Sequence, residues 1–169
     1  MADKTLYHWK ETFDIANDLK SKLEPHCEPD RCMIVGSLRR ECAIVHDIDI
    51  VLSPLPGQLL PFQSMQLAYI MGEGWQYLKG KEKIINGLYW DIPVDLYFAT
   101  QEQWWTLVVI RTGSKEHNIK LCSRAKARGM KLHADGSGIE REDGTYLVPD
   151  GEEDIFGILG LAYLEPKDR

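Results

Sequence analysis

The stretch Asp47-Ile48-Asp49-Ile50-Val51-Leu52 constrains the fold more than any other, because it alternates acid with β-branched apolar residue before becoming wholly apolar. Side chains alternate across a strand, so Asp47 and Asp49 project to one face while Ile48 and Ile50 enter a core on the other. Two carboxylates then stand side by side. Like charges that close repel, and either one takes up a proton or a cation lies between them. A hard divalent ion with oxygen ligands, most simply Mg²⁺, satisfies the second case, while for a lone pair of this kind a solvated strand edge is the commoner explanation.

A third acid narrows the choice. Asp95 sits in Val94-Asp95-Leu96-Tyr97-Phe98, a strand-like run where a half-buried carboxylate needs a reason. If that strand lies beside the first, three carboxylates converge and can hold two metal ions about 3.5–4 Å apart, the arrangement of in-line phosphoryl or nucleotidyl transfer. Gly36-Ser37-Leu38-Arg39-Arg40 precedes the first acids. A glycine there lets the backbone pass close to a ligand, and the following turn offers N–H groups and two guanidinium groups to an anion. One end of the segment grips phosphate and the other holds the metal that bridges to it.

The rest of the chain frames these groups. Leu6, Trp9, Phe13, Ala16, Leu19 and Leu23 recur at the spacing of one helix face, with Pro25 just beyond. Cys32 to Val35 reads as a strand ended by Gly36, with Ser37 capping a helical turn through Ala43, and Asp47 to Leu52 as the next strand. Pro61 opens a helix to about Met71. Trp75 to Phe98 reads as two strands joined near Asn86-Gly87, a pair suited to a type I′ turn. A short helix over Gln101 to Ile110 follows, then a second from a Ser114 cap to Arg128, stopped by Gly129. A hairpin turning at Asp143-Gly144 and a helix over Glu152 to Leu159 complete an α+β fold in two lobes. Trp9, Trp104 and Trp105 are expected in core packing.

Composition sets limits on partners. The 169 residues carry 20 Lys+Arg against 26 Asp+Glu, a formal charge of −6, which argues against a surface wholly devoted to nucleic acid. Yet Arg111 to Lys131 holds seven basic residues and one acid, so one basic stripe survives the acidic total. The four cysteines show no CxxC pairing and read as reduced thiols. No apolar run approaches the ~20 residues of a membrane span, and the start has no signal or transit character, so the expectation is a soluble, cytoplasmic protein with no membrane partner.

A Gly-Ser turn, nine intervening residues, Asp47-Ile48-Asp49-Ile50 and a later Val94-Asp95-Leu96 resemble the palm of the nucleotidyltransferase superfamily. GSLRR, DIDIVL, VDLYF, TGSKEHN and EEDIFGILGLAYLEPKDR together resemble, more narrowly, the family X DNA polymerases, over about Thr5 to Arg169. The resemblance implies a palm of mixed sheet with helices on one face over residues 1–100, and a small helix-and-hairpin thumb over 101–169. It implies that Asp47 and Asp49 bind both of two Mg²⁺ ions, Mn²⁺ being the alternative, and that Asp95 completes the site of the ion that activates a primer 3′-hydroxyl. Gly36, Ser37 and Arg40 would hold the β- and γ-phosphates. Thr112 and Gly113 would lie against the sugar of an incoming dNTP, Lys115 near its base, and Asn118 at its minor-groove edge. Lys120, Arg124, Lys126 and Arg128 would follow template-primer or gapped DNA.

The implied activity is template-directed addition of deoxynucleotides by a monomer, in short-gap repair. Departures from the family pattern bound this expectation. The N-terminal lyase and fingers domains of fuller members have no counterpart in the sequence, and Ile110-Arg111 stands where many members place an aromatic pair that screens out ribonucleotides. Pro93 and Cys122 replace arginines of vertebrate members, and His46 replaces a usual glycine. A template-independent or ribonucleotide-using transferase, and a non-catalytic DNA-binding palm, are the rival readings.

Overall fold

The computed structural model describes residues 5–57, 64–81 and 83–169. The chain enters through β1 (Tyr7–His8) and turns at once into α1 (Trp9–Leu23). The periodic face of α1 is as expected from Ala16 onward, with Ala16, Leu19 and Leu23 fully buried; one turn earlier Thr12 is buried and the expected Phe13 only partly so. Leu6 is not part of it: it is 63% exposed, because Tyr7 and His8 are engaged in a two-stranded pairing that delays the helix. Trp9 and Phe13 stack with ring centroids 4.6 Å apart on the edge of the core.

Strand β2 (Cys27–Ile34) is longer than its apolar run, since Pro29 and a bulge between Cys27 and Cys32 disguise its first half. It is an outer strand, where a residue without an N–H and a bulge are tolerated. The turn α2 (Gly36–Arg39) follows, then β3 (Ile44–Val45), the partner of β1, and β4 (Ile48–Pro54). Ser37 does not cap α2: that position is Val35, and the Ser37 hydroxyl is buried with no hydrogen-bond partner.

Helix α3 (Ser64–Met71) packs Leu67 and Met71 into the core; its expected start at Pro61 lies outside the described residues. Three strands, β5 (Trp75–Lys81), β6 (Ile84–Tyr89) and β7 (Ile92–Phe98), occupy the region expected to hold two. The turn between β6 and β7 falls at Trp90-Asp91, both with positive φ, instead of at Asn86-Gly87. Two interactions outweigh the turn propensity of Asn-Gly. The Asn86 amide donates to Asp95 across the ladder, and Gly87 leaves room for the Trp75 indole, which a Cβ would approach to 2.2 Å.

The sheet runs β2-β4-β7-β6-β5, antiparallel throughout except for the parallel β4–β7 pair. One face carries Ile48, Ile50, Leu52, Val94 and Leu96 against α1 and α3. The opposite face carries Val51, Tyr97 and Ala99 against α4 (Trp104–Thr112), the first helix of the second lobe. Helix α5 (Lys115–Ala127) is capped as expected, the Ser114 hydroxyl accepting from the His117 N–H at 3.3 Å. A meander of β8 (Met130–Leu132), β9 (Ile139–Arg141) and β10 (Tyr146–Leu147) adds one strand to the expected hairpin, and α6 (Glu152–Leu159) closes a separate core around Leu121, Ile139, Ile155 and Phe156. Among the described residues no helix is long and apolar enough to cross a membrane.

Candidate active site

The parallel pairing of β4 with β7 sets Asp49 directly opposite Asp95. Parity then places both carboxylates on the α4 face, together with Tyr97 two residues on and Asn86 across the β6–β7 ladder. Asp47, just before β4, joins Asp49 in lining a cleft of about 740 Å³ between the sheet and the second lobe.

Asp49 meets the turn that precedes it. Gly36 has φ +66°, and a Cβ there would stand 2.1 Å from Asp49 Oδ2, so only glycine lets this backbone pass so near the acid. Burial, followed by repulsion from Asp47 and Asp95, pushes the Asp49 carboxyl up to about 7, partly opposed by the Tyr97 hydroxyl and Arg111. Asp95 lies deeper. Asn86 Nδ2 donates to its Oδ1 at 2.5 Å, and the Tyr97 hydroxyl is 3.2 Å from its Oδ2 and 3.2 Å from Asp49 Oδ1. Burial and the two acids push the Tyr97 phenol up, so it keeps its proton. Arg111 lies over the Tyr97 ring, 4.2 Å from its centroid.

Among the described residues no three His, Cys, Asp or Glu side chains are drawn tightly enough to clasp a metal ion as they stand. The donor set nonetheless suits a hard divalent cation, because three carboxylates offer oxygen only and the buried Asp49 is faced by the like charges of Asp47 and Asp95.

Gly36, Ser37 and Arg40 line one wall of the cleft; Gly113, Lys115 and Asn118 line the other. Several are tied to the protein itself. Arg40 Nη1 donates to the Thr112 carbonyl, and Asn118 Nδ2 donates to the Ile110 carbonyl at 2.7 Å, leaving Asn118 Oδ1 buried without a partner. Thr112 is fully buried behind the wall, where its hydroxyl accepts from Arg39 at 2.8 Å. Arg39 also reaches Glu152 of α6, which pairs in turn with Arg169 at 2.6 Å. Arg39 of α2 and the Arg40 that follows it thus latch the lobes together.

The basic stripe divides. Lys120 and Lys126 are exposed on α5. Arg124 donates to the Leu159 carbonyl at 2.9 Å and approaches that of Gly160 at 3.4 Å, and Arg128 lies against Gly160. Both offset the negative end of α6.

Tyr97 carries no site role in the sequence reading, Asn86 stands there only as a turn residue, and Arg111 only in the basic stripe and the Ile110-Arg111 departure. The strand parity that paired Asp47 with Asp49 also pairs Asp95 with Tyr97, so that residue was within reach; Asn86 was hidden by its turn-like dipeptide.

Two comparisons bear on this arrangement. The DNA polymerase beta thumb family matches residues 107–169, which covers α5 through α6 and most of α4. The DNA polymerase/3′-5′ exonuclease PolX of Bacillus subtilis (strain 168) is 27% identical over 161 residues, covering 92% of this chain. The chain spans 27% of that relative's length. With a mixed sheet bearing paired acids on one side of the cleft and, on the other, a segment that matches the DNA polymerase beta thumb, the chain is similar to the family X polymerases.

Proposed function

We propose that the chain is a template-directed DNA polymerase, with a palm over residues 1–100 and a thumb over 101–169, that extends primer 3′-ends across short gaps in repair. The observation that carries this reading is the register of Asp49 against Asp95 across parallel strands, with Asp47 and the Gly36-Ser37 turn at the same cleft.

Asp47, Asp49 and Asp95 would hold two divalent ions, Mg²⁺ or Mn²⁺. Such ions activate the primer hydroxyl and neutralise the triphosphate. The Ser37 hydroxyl, which has no partner, and Arg40, once drawn from Thr112, offer a donor and a positive charge to the β- and γ-phosphates. Gly113, held against Arg40, gives the sugar a wall without a side chain, with Thr112 behind it. Lys115 at the rim and the free Asn118 Oδ1 face the base. Lys120 and Lys126 present charge to the DNA backbone, while Arg124 and Arg128 hold the helix that carries them.

The internal ties of Arg40 and Asn118 favour one second reading, a palm that binds DNA without catalysis. Extension of a labelled primer on gapped, open and absent template, with deoxy- and ribonucleotides in parallel, separates them. The expected result is Mg²⁺-dependent, template-dependent extension that Asp49→Ala abolishes. Equal extension without template overturns template direction, and no Mg²⁺-dependent extension at all leaves the binding module.

A further inference from the structure

We propose that Tyr97, backed by Asn86, is a positioning residue that sets the spacing of Asp49 and Asp95 for a divalent cation. The inference rests on the reading of Asp47, Asp49 and Asp95 as a cation site. Its ground is a hydroxyl standing between two acids.

Tyr97 is 7% exposed, packed with Val51, Trp104, Leu107 and Val108, and covered by Arg111 at 4.2 Å. Phenylalanine would fill that space equally well, and a buried hydroxyl is costly unless bonded. What the oxygen adds is a bridge, 3.2 Å to Asp49 Oδ1 and 3.2 Å to Asp95 Oδ2. Asn86 takes the remaining Asp95 oxygen at 2.5 Å. The single hydroxyl proton is shared between the two acids, so Asp95 has a full donor at Oδ1 from Asn86 and a shared one at Oδ2, which together restrain the rotation of that carboxylate. Asp49 is restrained by its share of the same proton on one side and by the close Gly36 backbone on the other.

The bridge does not exhaust the acids. Each carboxylate oxygen has two lone pairs, so one hydrogen bond leaves another free for a cation. Hydrogen bonds from groups outside the ligand set hold ligands in this way at metal centres, and their loss weakens affinity about 10–100-fold. The opposite role, a hydroxyl that competes with the cation for the same oxygens, gives an effect of opposite sign.

The test is a Mn²⁺ titration followed by the electron paramagnetic resonance of the free ion, with no nucleotide or DNA present. It compares wild type, Tyr97→Phe, Asn86→Ala and Asp49→Asn, with thermal melting of each. The expected result is that Tyr97→Phe weakens Mn²⁺ binding about tenfold or more while its melting temperature in chelator stays within a few degrees of wild type. Asn86→Ala weakens it in the same direction, and carries the test alone if Tyr97→Phe does not fold. Unchanged or tighter binding in the variant that folds, with Asp49→Asn abolishing it, overturns the positioning role and leaves the cation site standing. Absence of Mn²⁺ binding by wild type overturns both.

Discussion

Replacing Asp49 with asparagine removes a charge that the metal-free protein holds at a cost. Asp49 titrates near 7 in the fold against an ordinary 3.8, because it is buried and faced by Asp47 and Asp95. Between those values the folded state keeps a proton that the unfolded state has lost, so the stabilisation from this group falls as pH rises and is gone above about 7. At about 1.4 kcal/mol per pH unit the loss is about 4 kcal/mol. Asparagine is nearly the same shape, still accepts from Tyr97, and does not titrate. In EDTA, urea denaturation should therefore show the variant and wild type about equally stable near pH 4, and the variant more stable by about 2–4 kcal/mol near pH 8. Titrating groups that do not face Asp49 act on both proteins and cancel in the difference, while Asp47 and Asp95, relieved of its charge, add to the gain of the variant at high pH. Millimolar Mg²⁺ should then raise the stability of wild type and leave the variant unmoved. Parallel pH profiles of the two proteins in EDTA would refute the argument that burial and mutual repulsion load this carboxylate.

His117 has the opposite sign: burial, then Arg169, Lys120 and Arg40, push its imidazole down to about 4, so the protein loses stability as pH falls from about 6.5 to 4, by about 3.5 kcal/mol before solvent screening and about 2 kcal/mol after it, and denaturation of His117→Phe should lack that loss. Gly36→Ala puts a Cβ 2.1 Å from Asp49 Oδ2 in left-handed backbone and should cost about 2–4 kcal/mol in chemical denaturation, with loss of Mn²⁺ affinity. Arg39→Ala leaves Glu152 buried with Arg169 alone and unties Thr112; about 2–4 kcal/mol of stability should be lost, and a double-mutant cycle with Glu152→Ala should show the coupling. Lys120→Ala should weaken DNA binding evenly across sequences and lower its salt slope by about 1.

What could be seen in the residues was whatever depends on short-range parity and periodicity. Asp47-Ile48-Asp49 declared its two faces, α1 its buried stripe from Ala16, and Ser114 its cap. Elements set by tertiary contacts were hidden. Leu6 lost its place to a pairing with a strand nearly forty residues away, and the bulge around Pro29 concealed half of β2. Asn86-Gly87 has the composition of a turn but serves the sheet interior, one residue holding Asp95 and the other accommodating Trp75. The basic stripe was visible as charge, but nothing local distinguished Arg124, which closes α6, from Lys120, which faces outward.

The parallel pairing of β4 with β7 has a consequence for how this chain can change. Strands that run the same way cannot be joined by a tight turn, so everything from Leu55 to Asp91 serves as a return path between them. The spacing of Asp49 from Asp95 is measured across the sheet and not along the chain. Lengthening or trimming the loop at residues 55–57 should therefore leave the acids in register, whereas one residue added inside β4 would turn Asp49 into the core and Ile50 into the cleft.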